Sequence, residues 1–209
     1  MDIKIPYTPR KHQAFLHNKI SKHRWSVLVC HRRFGKTVCM INHLIRSALL
    51  SKNKNPRYAY ISPTFKQSKA IAWDYMKQFT TKIPFTKFNE TELRVDLPNG
   101  SRITLLGSEN SDSLRGIYLD GCVIDEYANV NEKVFPEIIR PALSDRKGYC
   151  VFIGTPQGMN NNFYELYQHA QGADDWFHYK AKPSQTKIVD EEELTKAKEV
   201  MGDKKFLQE

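Results

Sequence analysis

One octapeptide constrains this chain more than anything else in it: Cys30-His31-Arg32-Arg33-Phe34-Gly35-Lys36-Thr37. Before it runs an apolar stretch, Trp25 to Cys30, that reads as a buried strand. After it, Lys36 to Leu50 carries apolar residues at 38, 41, 44, 45, 48 and 49, a helical spacing. Strand, loop, Gly-Lys-Thr and helix are the parts of a phosphate-binding loop. Each part has a physical task. Gly35 lets the backbone approach a phosphate with no side chain in the way. Successive N–H groups and the helix N-terminus face the anion. Lys36 supplies a mobile positive charge, and Thr37 offers a hydroxyl to Mg²⁺.

The motif departs from G-x-x-x-x-G-K-[ST] only at its first position, where Cys30 replaces glycine. A positive φ there would strain a cysteine. His31, Arg32, Arg33 and Phe34 complete the candidate phosphate cradle. Arg32 is placed to reach or sense a γ-phosphate, and Arg33 is a second candidate. Either arginine could instead face solvent or an acid on a neighbouring strand.

A second feature answers the first. Cys122-Val123-Ile124 is an apolar strand ending in Asp125 and Glu126. Beside a phosphate loop, the first acid suits a metal or its water, and the second suits a general base for the attacking water. Neighbouring residues on a strand face opposite ways, so the two carboxylates divide the work. The plainer reading is a surface Asp-Glu at a strand end. Ile153-Gly154-Thr155-Pro156 ends a third apolar strand, where a hydroxyl could sense a γ-phosphate.

The remaining segments alternate. Helices are expected over 10–21, 65–80 and 134–143, the last interrupted at Pro141, and strands over 58–62 and 177–181. Leu93 to Leu97 and Arg102 to Leu106 flank Pro98-Asn99-Gly100-Ser101, a hairpin signal. Strands joined by helical crossovers imply an α/β fold with a mostly parallel sheet and helices on both faces. The expected organisation is a P-loop domain over 1–189 and a charged helical tail over 190–209.

Charge points to a polyanion. Residues 1–57 hold thirteen Lys/Arg and one acid, while the whole chain nets +9. A basic N-terminal quarter fits nucleic acid on one face, or merely a solvated basic surface. Lys66, Lys69, Lys77 and the basic residues at 19–24 are candidates on charge alone. The four cysteines form no CxxC pair and no zinc-ligand spacing, so buried free thiols in a reducing compartment are expected. No stretch is long and apolar enough for a membrane span, and no membrane role is expected.

In order along the chain stand Pro6-Tyr7-Thr8-Pro9-Arg10-Lys11-His12-Gln13, the loop, Ser62-Pro63-Thr64, Ser113-Leu114-Arg115-Gly116, Val123 to Ala128 and Gly154-Thr155-Pro156. This ordered set resembles the ATPase domain of the large terminase subunit, the DNA-packaging motor of tailed bacteriophages. The resemblance implies an additional-strand P-loop NTPase fold, related to RecA and helicases, that hydrolyses ATP with Mg²⁺. It implies that Tyr7, Arg10 and Gln13 contact adenine and that Arg32 contacts the γ-phosphate. Arg115 would act as an arginine finger for a neighbouring subunit. Gly154-Thr155-Pro156 would couple hydrolysis to movement. A non-glycine first loop residue such as Cys30 is common in that family. The implied partners are double-stranded DNA, further copies in a ring, the portal protein and the small terminase subunit. The implied location is the host cytoplasm, docked transiently on the procapsid. The family's nuclease domain would lie beyond Glu209, so DNA cleavage is not expected of this stretch. Two other readings share the motifs: a superfamily 1 or 2 helicase-like DNA-dependent ATPase, and a nucleotide-gated DNA-binding assembly module.

Overall fold

The computed structural model describes residues 4–110 and 114–186, with the isolated positions 188, 190, 196 and 199. Its strands are β1 (Trp25–Cys30), β2 (Arg57–Ser62), β3 (Lys87–Asn89), β4 (Arg94–Asp96), β5 (Arg102–Gly107), β6 (Gly121–Ile124), β7 (Tyr149–Gly154) and β8 (Trp176–Ala181). Its α-helices are α1 (Lys11–Ile20), α2 (Lys36–Leu50), α3 (Phe65–Ser68), α4 (Asp74–Thr80), α5 (Arg140–Ala142), α6 (Asn162–Gln171) and α7 (Pro183–Thr186). The strands form one sheet in the order β3-β4-β5-β2-β6-β7-β1-β8. From β5 to β8 in that order all pairs are parallel, and β4 and β3 extend one edge antiparallel.

The central strands are buried on both faces, as their unbroken apolar runs require. Alternate side chains feed two cores. Leu28, Tyr60, Val123 and Ile153 join the core that α1 and α2 cover. Val27, Ile61, Ile124 and Phe152 join the opposite core, which also takes Ile138 and Phe163. The hairpin forms as expected, with Val95 opposite Ile103 and Gly100 at φ +83° in the turn.

Three differences from the sequence reading have identifiable causes. The helix over 65–80 is continuous but widened by a π-helical turn, Lys69–Trp73. The extra residue keeps Ser68, Ala72, Trp73 and Met76 all buried. Around Pro141 the irregularity lies earlier, as a π turn at Phe135–Ile139. Pro141 has no N–H for the carbonyl one turn back, and the Arg140 N–H bonds instead to the Phe135 carbonyl. Helix α6 is absent from the reading, although Phe163, Leu166, Tyr167 and Ala170 repeat at helical spacing. Asn161 caps it by accepting from the Phe163 and Tyr164 N–H groups. The short strand β3 was not anticipated either. The tail expected over 190–209 lies outside the described residues.

One topological fact positions everything that follows. β7 lies between β1 and β6. Because the three run parallel, the loop after β1, the acids after β6 and Thr155 after β7 emerge along one edge of the sheet. This is the additional-strand order that the resemblance implies.

Candidate functional site

The loop over residues 30–37 is braced partly by itself. Gly35, at φ +85° and ψ 34°, is the residue before α2 and takes the left-handed turn that only glycine adopts at little cost. Arg33 also has a positive φ, at 64°, whereas Cys30 ends β1 in extended pairing beside Ala181. The strain expected at Cys30 therefore does not arise; the loop turns three residues later. Lys36 Nζ donates to the Cys30 and His31 carbonyls at 3.2 and 3.4 Å, folding back over the loop. Arg32 and Arg33 are exposed.

Two loop side chains have a different placement from that of ligand contacts. Phe34 is buried in the core under α2, and the His31 ring is buried with Nε2 2.8 Å from the Thr186 hydroxyl of α7. Burial lowers the His31 pKa. The side chains of both residues therefore point into the interior and leave only main-chain groups to the loop.

The N-terminal segment divides. The Gln13 side chain accepts from the Arg10 N–H at 2.9 Å and donates to the Gly35 carbonyl at 3.2 Å. The Arg10 guanidinium donates to the Phe34 carbonyl. Both residues sit directly on the loop, so close that a Cβ at Gly35 would lie 3.0 Å from Gln13 Nε2. Tyr7 turns elsewhere. Its hydroxyl meets His17 Nε2 at 3.0 Å, its ring packs edge-on against Phe79, and it lines a groove with Asn42, Arg46 and Leu49. The structure groups Arg10 and Gln13 with the loop and leaves Tyr7 beside α1 and α2.

The acidic end is assembled from three strands. Asp125 continues the ladder of β6 through its N–H to the Ile61 carbonyl and is almost wholly buried. Its Oδ2 accepts from the Tyr60 hydroxyl at 2.5 Å, and its Oδ1 accepts from the Glu126 N–H at 2.9 Å. Burial pushes the Asp125 pKa up to about 6, against the pull of Tyr60 and Lys36. Glu126 adopts a left-handed conformation, φ 46° and ψ 49°. A non-glycine residue held there stores strain, as residues at functional sites often do. The two carboxylates do diverge, but through this backbone turn rather than through strand alternation, since β6 ends at Ile124. Glu126 Oε2 accepts from the Thr155 hydroxyl at 3.3 Å, which links the end of β7 to the acid.

Arg115 belongs to a different place. It is exposed and lines a cleft of about 480 Å³ with Thr64, Ser108, Glu109, Asn129 and Lys133. That cleft is lined by residues that follow β2, β5 and β6 and by none of residues 30–37. Asp120, five residues on, is bonded to Asn53, the Arg57 N–H and Arg146. Ser113 lies outside the described residues. Among the charge-based candidates, Lys66 and Lys69 are exposed, while Lys77 pairs with Glu90 and Asp74. Arg24 stacks on Trp25 and caps the Gly148 carbonyl, a structural use.

Tyr60 is the residue that sequence reasoning missed. Its only signal was a polar tip on a wholly buried strand, and its neighbours across the sheet were needed to interpret it.

The family model described as "Terminase large subunit, T4likevirus-type, N-terminal" matches residues 29–203. The terminase large subunit of Escherichia phage T5 is 28% identical over 174 residues, covering 80% of this chain and 38% of the relative. The chain thus spans little more than a third of the length of the curated relatives it matches. The solved large terminase ATPase domain of Thermus phage P74-26 superimposes with a TM-score of 0.80 at 21% identity, covering 98% of this chain and 93% of that one. The large terminase of a thermophilic bacteriophage, solved in complex with ADP, gives a TM-score of 0.80 at 15% identity, with 95% and 52% covered. Among the described residues, no helix is long and apolar enough to cross a membrane.

Proposed function

The chain belongs to the terminase large-subunit family as its N-terminal part, and from that premise we propose that it hydrolyses ATP to drive double-stranded DNA into a viral procapsid. The observation that carries this reading is the convergence of Lys36, Asp125, Glu126 and Thr155 on one edge of a parallel sheet. The residues suit a magnesium nucleotide. Gly35 opens the helix N-terminus to an anion, Thr37 stands in the first turn of α2, and Asp125 presents a carboxylate held by the Tyr60 hydroxyl. No group of three or more His, Cys, Asp or Glu able to hold a metal occurs among the described residues. That fits Mg²⁺, which takes few protein ligands and the phosphates besides. When bound, the ion neutralises charge on the phosphates.

Lys36 leaves its two carbonyl partners to pair with the phosphates. Arg32 reaches toward the terminal phosphate from the same loop. Glu126 accepts the proton of the attacking water, with Thr155 fixing its carboxylate. Gln13 and Arg10 carry the base contact to the loop by their bonds to Gly35 and Phe34. Arg115, in a cleft that residues 30–37 do not line, acts on the site of a neighbouring copy in a ring. Lys66 and Lys69 offer charge to DNA phosphates. The portal protein and the small terminase subunit are the further partners, in the host cytoplasm.

Glu126→Ala should retain ATP binding within about threefold and lower kcat by about 10³. Steady-state hydrolysis beside equilibrium nucleotide binding measures both. Undiminished turnover removes the base from this reading. Mixing Arg115→Ala with Glu126→Ala chains should restore part of the activity. No rescue where the wild-type chains assemble removes action in trans.

A further inference from the structure

Tyr60 is 0% exposed, yet its hydroxyl bonds to the carboxylate of Asp125. It stands on β2, in the middle of the core under α2, and neither the loop motif nor the acidic strand contains it. One hydrogen bond fixes its tip: the Tyr60 O–H donates to Asp125 Oδ2 at 2.5 Å. The Glu126 N–H occupies Asp125 Oδ1.

From these two bonds we propose that Tyr60 is a positioning residue for Asp125, the acid placed for the metal. Asp125 is held at both oxygens, by Tyr60 on one and by the Glu126 N–H on the other, and each oxygen keeps lone-pair capacity. Rotating the carboxylate would break one bond or the other. A buried donor fixed by packing achieves this without a water, because the Tyr60 ring is held in the core and its hydroxyl cannot wander. Tyr60 is wholly buried, so it acts through Asp125. The placement of that carboxylate thereby depends on the register of β2 beside β6, in which Tyr60 pairs with Val123.

The inference rests on the nucleotide-binding reading above, and the test separates the two. Tyr60→Phe keeps the ring and removes only the hydroxyl. Tyr58→Phe is the control. It removes another buried tyrosine hydroxyl on the same strand and face, one bonded to the Ser47 carbonyl far from the acids. Binding of a fluorescent ATP analogue is measured by titration in EDTA and again across a Mg²⁺ series. Hydrolysis is followed across the same series. In Tyr60→Phe, binding in EDTA should stay within about twofold of wild type, since the loop is untouched. The gain in affinity that Mg²⁺ confers should shrink about tenfold, the scale of one hydrogen bond to a charged group. The Mg²⁺ concentration for half-maximal hydrolysis should rise by about the same factor. Tyr58→Phe should match wild type in all three measurements. An unchanged Mg²⁺ dependence in folded Tyr60→Phe overturns the proposal, as does an equal loss in both variants, which would mark a general packing defect. A wild-type chain that binds the analogue no better with Mg²⁺ overturns the reading beneath it, whatever the variants do.

Discussion

The two halves of the site draw on the chain to different degrees. The cationic half, after β1, is partly local: Lys36 bonds to Cys30 and His31, six and five positions away, while Gln13 and Arg10 reach the loop from the start of α1. The acidic half, after β6, depends on the rest of the sheet. Asp125 is placed by Tyr60, 65 positions away, and Glu126 by Thr155, 29 positions away. A loop that turns on its own glycine and lysine carries part of its support within itself. A buried carboxylate needs distant donors, because a desolvated acid with none would protonate or destabilise the fold.

This contrast can be broken or sharpened by experiment. The largest effect concerns the support beneath the loop. His17 and His43 stack between α1 and α2, with ring planes 10° apart. Burial lowers their pKa values to about 4 and about 3, from the usual 6.5. For a histidine whose folded pKa is depressed, stability is full above the unfolded value and falls as the pH drops toward the folded one. Between pH 7 and pH 5 the loss should be about 2 kcal/mol per histidine. Urea unfolding across that range measures it. If the acidic half were equally sensitive, probes on β6 would respond at the same pH as probes on α1.

Lys36→Ala comes next. It should weaken nucleotide binding about a hundredfold, the scale of two charge-assisted bonds, and leave thermal stability near wild type. Isothermal titration and calorimetry together test the claim that the loop is braced partly by itself. A large fall in stability would show that it supports the fold as well. Thr155→Val should lower kcat about tenfold with nucleotide affinity unchanged, because it frees the Glu126 carboxylate without touching the loop. Asn161→Ala has the smallest effect. Loss of the α6 cap should cost about 1 kcal/mol, read by denaturant unfolding, with hydrolysis unaffected at temperatures where the chain stays folded. A drop in kcat there would show that the acidic half depends even on the helix packed behind Tyr127.

The legibility of the chain follows the same division. The loop, α2, β1, β6 and β7 could all be read because strands with unbroken apolar runs and a helix with 3.6-residue spacing leave strong periodic signals. The hairpin was equally plain, since Asn99-Gly100 needs a turn with positive φ. The roles of His31 and Phe34 were harder. A motif gives the order of side chains but not their directions, and both point into the interior. Tyr7 and Gln13 read as one segment, yet the helix between them sends one to the groove and the other to the loop. Helix α6 carried a usable apolar spacing, masked by a mean composition close to that of a loop.

By itself, the sequence determined the parts: a strand, a phosphate loop turning at Gly35, a helix behind it, and an acidic strand end. Each rests on interactions between residues a few positions apart, which backbone sterics and hydrophobic period impose locally. Only the tertiary structure decided how the parts meet. The insertion of β7 between β1 and β6 brings Thr155 to Glu126, and the pairing of β2 with β6 brings Tyr60 to Asp125. It also places Arg115 in a cleft with Thr64, Ser108 and Asn129 rather than with residues 30–37. Those outcomes depend on strand order and register. They arise from burying two faces of one sheet at once, and no local stretch of chain encodes them.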